Sequence, residues 1–398
     1  MEFGPILRSM FRNKVRFLVI AGEIALTLAV VVNCVHLIQN ARAAMGRPSG
    51  FDDDHLLYVR SIPFHEDFKE ESYLNNTIDE DLQLLRSLPG VASVAHSYFL
   101  PWQGGGSSTT RKELGSEGES YRLQSYPTYG DIVETLGIRV VEGRNLDETD
   151  YQEETQNILI SKAYARLLFG DEAALGKLLV GGDPENPETV VGIIDSFYNP
   201  YPWPIDEYVK FEGGKSGDYE GGVDFLLRAE PGMVESLYTT IETELIKANP
   251  GRNVRVRTIN EIKDNFFAGE QILMGSMGAV IFLLVFVTSL GIVGLTSFSV
   301  TQRTRQIGTR RALGAQKRDI LRYFLLENWM VTTCGIAAGC LLGVGLNYVL
   351  GNFNNIPRMD LRLLVAGAFL LWATGLLSVL LPALRGSRIS PSIATRNV

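Results

Sequence analysis

Four long apolar runs decide what this chain of 398 residues can fold into. Residues 17–38 read FLVIAGEIALTLAVVVNCVHLI, with Glu23 as the one full charge. Residues 272–300 and 363–384 contain no Asp, Glu, Lys or Arg, and residues 323–350 contain only Glu327. A helix of about 20 such residues crosses the roughly 30 Å hydrocarbon core of a bilayer. Burying all four inside a water-soluble protein would need four central helices apolar on every face. The spacing therefore predicts four transmembrane α-helices with these bounds. The first run is too long for a cleaved leader, and no small-residue cleavage site follows cleanly, so it reads as a retained anchor.

Charge predicts the orientation. Residues 1–16 are net +3, residues 301–322 net +6 and residues 385–398 net +3, whereas residues 39–270 are net −19. The positive-inside bias then puts both termini and the 301–322 segment in the cytoplasm. It puts the large acidic domain (39–271) and the short loop 351–362 outside. Within residues 1–16, Ile6, Leu7, Met10, Phe11 and Val15 share one helical face, with Arg8, Arg12 and Arg16 on another. That pattern suits either a basic helix lying along an anionic leaflet or an ordinary basic flank.

The acidic domain reads as α+β. A strand at 55–63, a helix at 78–88 and a strand at 91–100 form one βαβ pattern. Thr77 and Glu80 have the spacing of a capping box for that helix, and Pro89-Gly90 stops it. A strand at 223–229, a helix at 233–248 and a strand at 254–258 repeat the pattern. Two such units flanking an insertion predict a split ferredoxin-like sandwich. The insertion, about 101–222, opens with a Gly/Ser/Thr-rich loop at 104–120. Apolar strands at 158–160 and 190–194 then surround a helix at 162–169, as in a small mixed subdomain. Tyr198 to Pro204 reads either as an exposed aromatic loop or as a Pro-rich turn with inward-packed rings.

No catalytic or metal-binding pattern emerges. The three cysteines, Cys34, Cys334 and Cys340, all sit in apolar runs, which excludes a disulfide-stapled scaffold and a Cys-based zinc site. The four histidines have no metal-pair spacing. The stretch Gly170 to Leu178 has one residue too many for a phosphate loop and lacks the hydroxyl after Lys177. His65-Glu66 is not followed by the second His of a zincin helix, and no Gly-x-Ser-x-Gly elbow is present. The chain is expected to bind no cofactor and no nucleic acid.

The segment from Thr301 to Glu327 alternates basic residues with small and apolar ones, including Ile307-Gly308 and Ala312-Leu313-Gly314-Ala315. A helix with a small apolar tip and basic flanks suits a protein socket better than a lipid surface. The pattern Arg-x-Ile-Gly-x-Arg-Arg-Ala-Leu-Gly-Ala, followed by Asp-Ile and Phe-Leu-x-Glu, resembles the MacB/FtsX-like permease family of ABC transporters. Leu381-Pro382-Ala383 and Arg388-Ile389-Ser390-Pro391 follow the ending of that family. Leu136-Gly137-Ile138, Glu142-Gly143-Arg144, Ile160 to Ala165, Leu175-Gly176-Lys177 and Val191-Gly192-Ile193 are similar to the periplasmic core domain of MacB-type exporters.

The resemblance implies a bacterial inner-membrane permease subunit without a fused ATPase. It implies a pairing with a second, identical or related permease and with a separate ATPase that binds ATP and magnesium. The ATPase-coupling role then falls on Arg305, Ile307, Gly308, Arg310, Arg311, Ala312, Leu313, Gly314 and Ala315. Gln306 departs from the Glu usual in the family. The implied activity is efflux driven from the cytoplasm, with a periplasmic adaptor and an outer-membrane duct. Alternatives are extraction of lipoproteins and transmembrane signalling to periplasmic partners. Gly335, Gly339 and Gly343 repeat every fourth residue and offer a close-packing helix face.

Overall fold

A computed structural model describes residues 14–102, 104–105, 107–151, 156–181, 185–200, 207–215, 221–354 and 358–389. Residues 1–13 of the predicted amphipathic segment 1–16, most of the aromatic stretch 198–204 and the tail beyond Ile389 lie outside these residues.

The helices are α1 (Lys14–Met45), α2 (Glu71–Ser87), α3 (Ile132–Leu136), α4 (Lys162–Phe169), α5 (Val234–Ala248), α6 (Ile259–Gln302), α7 (Thr304–Ala312), α8 (Lys317–Asn354) and α9 (Leu361–Ser387). The first strands are β1 (Leu56–Pro63), β2 (Val91–Ser97), β3 (Phe99–Leu100), β4 (Gly104–Gly105), β5 (Ser107–Glu113) and β6 (Tyr121–Gly130). They are followed by β7 (Val140–Gly143), β8 (Asn157–Ser161), β9 (Leu178–Val180), β10 (Glu188–Ile194), β11 (Val209–Gly213), β12 (Val223–Ala229) and β13 (Arg252–Thr258). The chain divides into a sheet unit over Arg47–Gly269 and a helical unit built from the residues before and after it.

In the sheet unit, β2, β12, β1 and β13 lie side by side in that order, every pair antiparallel. This is the interleaved order of a split βαβ sandwich, with α2 and α5 as the crossovers. Alternation along the strands sends Leu57, Val59, Phe225, Leu227, Val254 and Val256 into one core. Leu74, Ile78, Leu82 and Leu85 of α2 and Leu237, Ile241 and Leu245 of α5 meet them at helical spacing.

Helix α2 corrects the sequence reading. It starts at Glu71, a full two turns before the expected 78, and Thr77 caps nothing. The Thr77 hydroxyl instead donates to the carbonyl of Tyr73, one turn back inside the helix. Burial of Leu74 on the same face as Ile78 is what extends the helix in the N-terminal direction.

The insertion is not a separate sheet. Strand β6 pairs with β2 and so extends the sandwich sheet, and the pairings β6–β5–β9–β10–β8–β11–β6 close a ring of six strands. The stretch expected as a loop at 104–120 supplies β5, whose Ser and Thr residues pair antiparallel with 122–125 of β6. Helix α4 crosses between the parallel strands β8 and β10, and Leu123, Ile158, Ile160, Tyr164, Leu179 and Val190 fill the core there. Tyr198, the one ring of the aromatic stretch among the described residues, is buried, with the Arg47 guanidinium 4.0 Å from its centroid.

Asp150 fastens the chain beside this ring. Burial raises its pKa, but hydrogen bonds from Arg144, Asn157 and the Asp147 amide outweigh that and hold it at about 2. A depressed carboxylate stabilises the fold above its unfolded pKa of about 3.9 and loses that contribution as pH falls through 2. Asp150→Asn is therefore expected to raise exchange of the Asn157–Ser161 amides at pH 7 while leaving it nearly unchanged near pH 2. Hydrogen exchange on the full chain at the two pH values checks this.

In the helical unit, α1, α6, α8 and α9 are each long and apolar enough to cross a membrane. Helix α6 begins at Ile259, well before the apolar run at 272, and continues unbroken to Gln302. At 1.5 Å per residue that is about 66 Å of helix, far more than a bilayer core requires. Buried polar pairs tie the helices together. The Thr27 and Thr288 hydroxyls lie 2.8 Å apart, Asn33 Nδ2 donates to the Gly343 carbonyl at 3.0 Å, and Asn328 Nδ2 donates to that of Gly375 at 3.1 Å.

Candidate functional site

The candidate site is the turn joining the second and third spans. Helix α7 ends in a Schellman motif: the Gly314 amide donates to the Arg311 carbonyl and the Ala315 amide to that of Arg310. Gly314 takes φ +97°, a left-handed conformation that glycine adopts without steric cost. The next helix starts two residues on, where the Gln316 amide donates to the Asp319 carboxylate at 2.9 Å. Two helix ends meeting in four residues leave Leu313 at the apex, 83% exposed.

Three contacts hold this apex. Ile307 and Gly308 turn inward, and Ile307 joins the core formed by Val300, Ile320, Phe324 and Ala383. Arg311 Nη1 donates to the carbonyls of Ser387 and Ile389 at 3.2 and 2.8 Å, placing a cation at the C-terminus of α9. Arg303, between α6 and α7, donates to both Glu327 oxygens at 3.2 and 3.3 Å and to the Tyr323 hydroxyl at 3.1 Å. Its guanidinium and that of Arg310 lie 5.9 and 5.6 Å from the Tyr323 ring centroid.

The nine residues singled out in the sequence thus divide by role. Ile307, Gly308 and Arg311 anchor the segment, whereas Arg305, Arg310, Ala312, Leu313 and Gly314 are exposed and Ala315 is half-buried. Gln306 is exposed on the same short helix. Sequence reasoning missed the brace of Arg303, Tyr323 and Glu327. Its one visible signal was an acid inside an otherwise uncharged run, and the partner lies 24 residues away in sequence.

The packing glycines sit elsewhere on α8. A Cβ on Gly335 would come within 2.9 Å of the Ala21 carbonyl and 2.8 Å of Ile24, and one on Gly339 within 2.9 Å of the Ala25 carbonyl. Gly343 is looser, with Ala29 Cα at 3.5 Å. The face made by Gly335 and Gly339 is thus occupied by α1 of the same chain. Gly339→Leu is expected to push α1 off α8 at a cost of about 1–3 kcal/mol. Gly345→Leu, with nothing within 4 Å of its Cβ, should cost nothing. Thermal unfolding of the two variants in detergent checks the difference.

In the sheet unit, one buried cluster of charged groups is closed on itself. Lys210, 1% exposed, donates to Glu188 at 2.5 Å and Glu212 at 2.6 Å, and Arg111 grips the same Glu188 at 2.6 and 2.9 Å. Burial raises the Glu188 pKa, and the Arg111 and Lys210 contacts overcome this and keep it low. A carboxylate gripped by two cations holds the strands together, and its lowered pKa makes it a weak proton acceptor. Among the described residues no cluster of His, Cys, Asp or Glu could hold a metal ion.

Comparison with known proteins covers most of the chain. Residues 17–215 match the MacB-like periplasmic core domain, and residues 278–391 match the FtsX-like permease C-terminal domain. The macrolide export ATP-binding/permease protein MacB 1/2 of Paracoccus denitrificans is 25% identical over 97% of this chain and 57% of the relative. The uncharacterized ABC transporter permease YvrN of Bacillus subtilis is 29% identical over 68% of this chain and 70% of the relative. The chain spans about half the length of the MacB relatives it matches. The periplasmic region of MacB from Actinobacillus actinomycetemcomitans aligns over 54% of this chain and 94% of that structure, at 13% identity and a TM-score of 0.38.

Proposed function

The chain belongs to the MacB/FtsX-like family of ABC transporter permeases, and from that premise we propose that it is a non-catalytic permease subunit driven by a separate ATPase. The apex at Leu313 is the contact through which the ATPase moves it. The termini and the apex face the cytoplasm, and the acidic sheet unit lies on the other side. Two permease halves, identical or related, make the working pair, and the driven process is export through a periplasmic adaptor and an outer-membrane duct.

The observation that carries this reading is the build of the turn. An exposed leucine on a glycine hinge is braced from behind by Ile307, by Arg311 on the end of α9, and by Arg303 on Glu327. An exposed apolar tip on a rigid mount is the form of an interface anchor, because little ordering entropy is left to be lost on docking. Export is supported by the name of the Paracoccus relative, a macrolide exporter.

Affinity purification of the chain from its native membrane, with mass spectrometry of its partners and an ATPase assay, tests the proposal. Recovery of an ATPase and an adaptor supports driven export. An ATPase without an adaptor supports lipoprotein extraction or signalling instead. Recovery with no ATPase overturns the proposal.

A further inference from the structure

Near the start of α8, one helical face carries Arg318, Arg322, Leu325, Leu326 and Trp329. Residues four and seven apart stack on one side of a helix. Leu376 of α9 stands opposite, and with Arg322, Leu325, Leu326 and Trp329 it lines an open groove of about 410 Å³. Both arginines are exposed, and neither makes a hydrogen bond or ion pair among the described residues. This contrasts with Arg303 and Arg311 nearby, whose guanidinium groups are engaged.

The position of the arginines is not explained by helix stability. Arg318 lies in the first turn of α8, where the helix dipole is positive and a cation is disfavoured. Trp329 lies about 10 Å beyond Arg322 along the helix, at 1.5 Å per residue, and is 42% exposed. A Trp with an apolar body and a polar N–H is at home just below the headgroup layer of a bilayer. Two unpaired cations above an apolar cleft with a Trp wall match the two ends of one amphiphile.

We propose that this groove is a binding site for an anionic phospholipid. Its phosphate pairs with Arg318 and Arg322, and the first part of an acyl chain lies between Leu325, Leu326, Trp329 and Leu376. Basic residues beside clefts between transmembrane helices recognise acidic headgroups by this combination of charge and apolar contact. The apolar cleft selects a lipid over free phosphate, and the charge selects an anionic lipid over a zwitterionic one.

Native mass spectrometry of the full chain in detergent, titrated with palmitoyl-oleoyl phosphatidylglycerol or the matching phosphatidylcholine, tests the site. The anionic lipid is expected to bind about thirtyfold more tightly, from roughly a fivefold gain per arginine. Arg318→Gln/Arg322→Gln should erase that preference and Arg318→Lys/Arg322→Lys should keep most of it. Leu376→Trp, which fills the groove and leaves both arginines, should weaken binding of the lipid. Unchanged phosphatidylglycerol binding in either the glutamine or the Leu376→Trp variant overturns the proposal. So does displacement of the lipid by inorganic phosphate. Loss of a co-purifying ATPase in the glutamine variant with lipid binding intact would also overturn it, because the arginines would then face a protein.

Discussion

Leu313→Asp is expected to abolish assembly with the ATPase, weakening association by a hundredfold or more, while membrane insertion and the fold of the helical unit stay intact. Leu313 touches little of its own chain, so its replacement costs the permease almost nothing. At a docked interface the same change removes an apolar anchor and buries an unpaired charge, each worth roughly 2 kcal/mol or more. Gly314 gives a graded companion. At φ +97°, Gly314→Asn keeps a residue that tolerates the left-handed region, and Gly314→Val strains the turn. The expected order of ATPase recovery is wild type, then Gly314→Asn, then Gly314→Val, then Leu313→Asp. Pull-down from detergent extracts, with size-exclusion profiles as the control for folding, reads the order directly. Equal recovery across the series would remove the apex from the coupling interface.

The sequence makes some of this architecture legible and hides the rest for physical reasons. Composition decides the spans, because a run without charge has one cheap environment. Strand β12 and helix α4 have the bounds read from their apolar patterns, 223–229 and 162–169. Closure of the six-strand ring was not legible, since it depends on β11 returning to β6 from more than 80 residues away. No local pattern encodes such a pairing. The false capping box at Thr77 shows the opposite failure, a local signal overridden when Leu74 finds a place in the core. At the turn after α7, Gly314 and the basic residues were visible as letters. Their division into anchors and display was not, because it depends on which carbonyls at the end of α9 Arg311 reaches. The glycines of α8 were legible as a close-packing face, whereas the identity of α1 as the neighbour required the structure.

A second large effect is expected in the sheet unit, where Asp81 of α2 meets Arg252 at the start of β13. Both side chains are buried, and the guanidinium makes a two-pronged contact with the carboxylate and a further bond to the Leu245 carbonyl at 3.0 Å. The pair thus joins both crossover helices to an edge strand. Burial raises the Asp81 pKa, and Arg252 offsets only part of that rise. Arg252→Met leaves the carboxylate buried without a counter-ion, which typically costs about 3–5 kcal/mol. The sign of the pH dependence follows from the raised pKa. A carboxyl group that is harder to ionise in the folded state favours folding when protonated, below its unfolded pKa, and loses that advantage as pH rises through the folded value. The deficit of Arg252→Met should therefore be largest at pH 7 and shrink toward pH 4. Adding Asp81→Leu removes the uncompensated charge, so the double variant should recover most of the loss and show no such pH dependence at this site. Hydrogen exchange of the β1 and β13 amides in the full chain provides the readout, with a hundredfold or greater fall in protection for the single variant. A single variant as well protected as wild type at pH 7 would show that the pair contributes no net stability. A double variant as unstable as the single one would show that the loss comes from packing around Arg252, with the stranded charge of Asp81 contributing nothing.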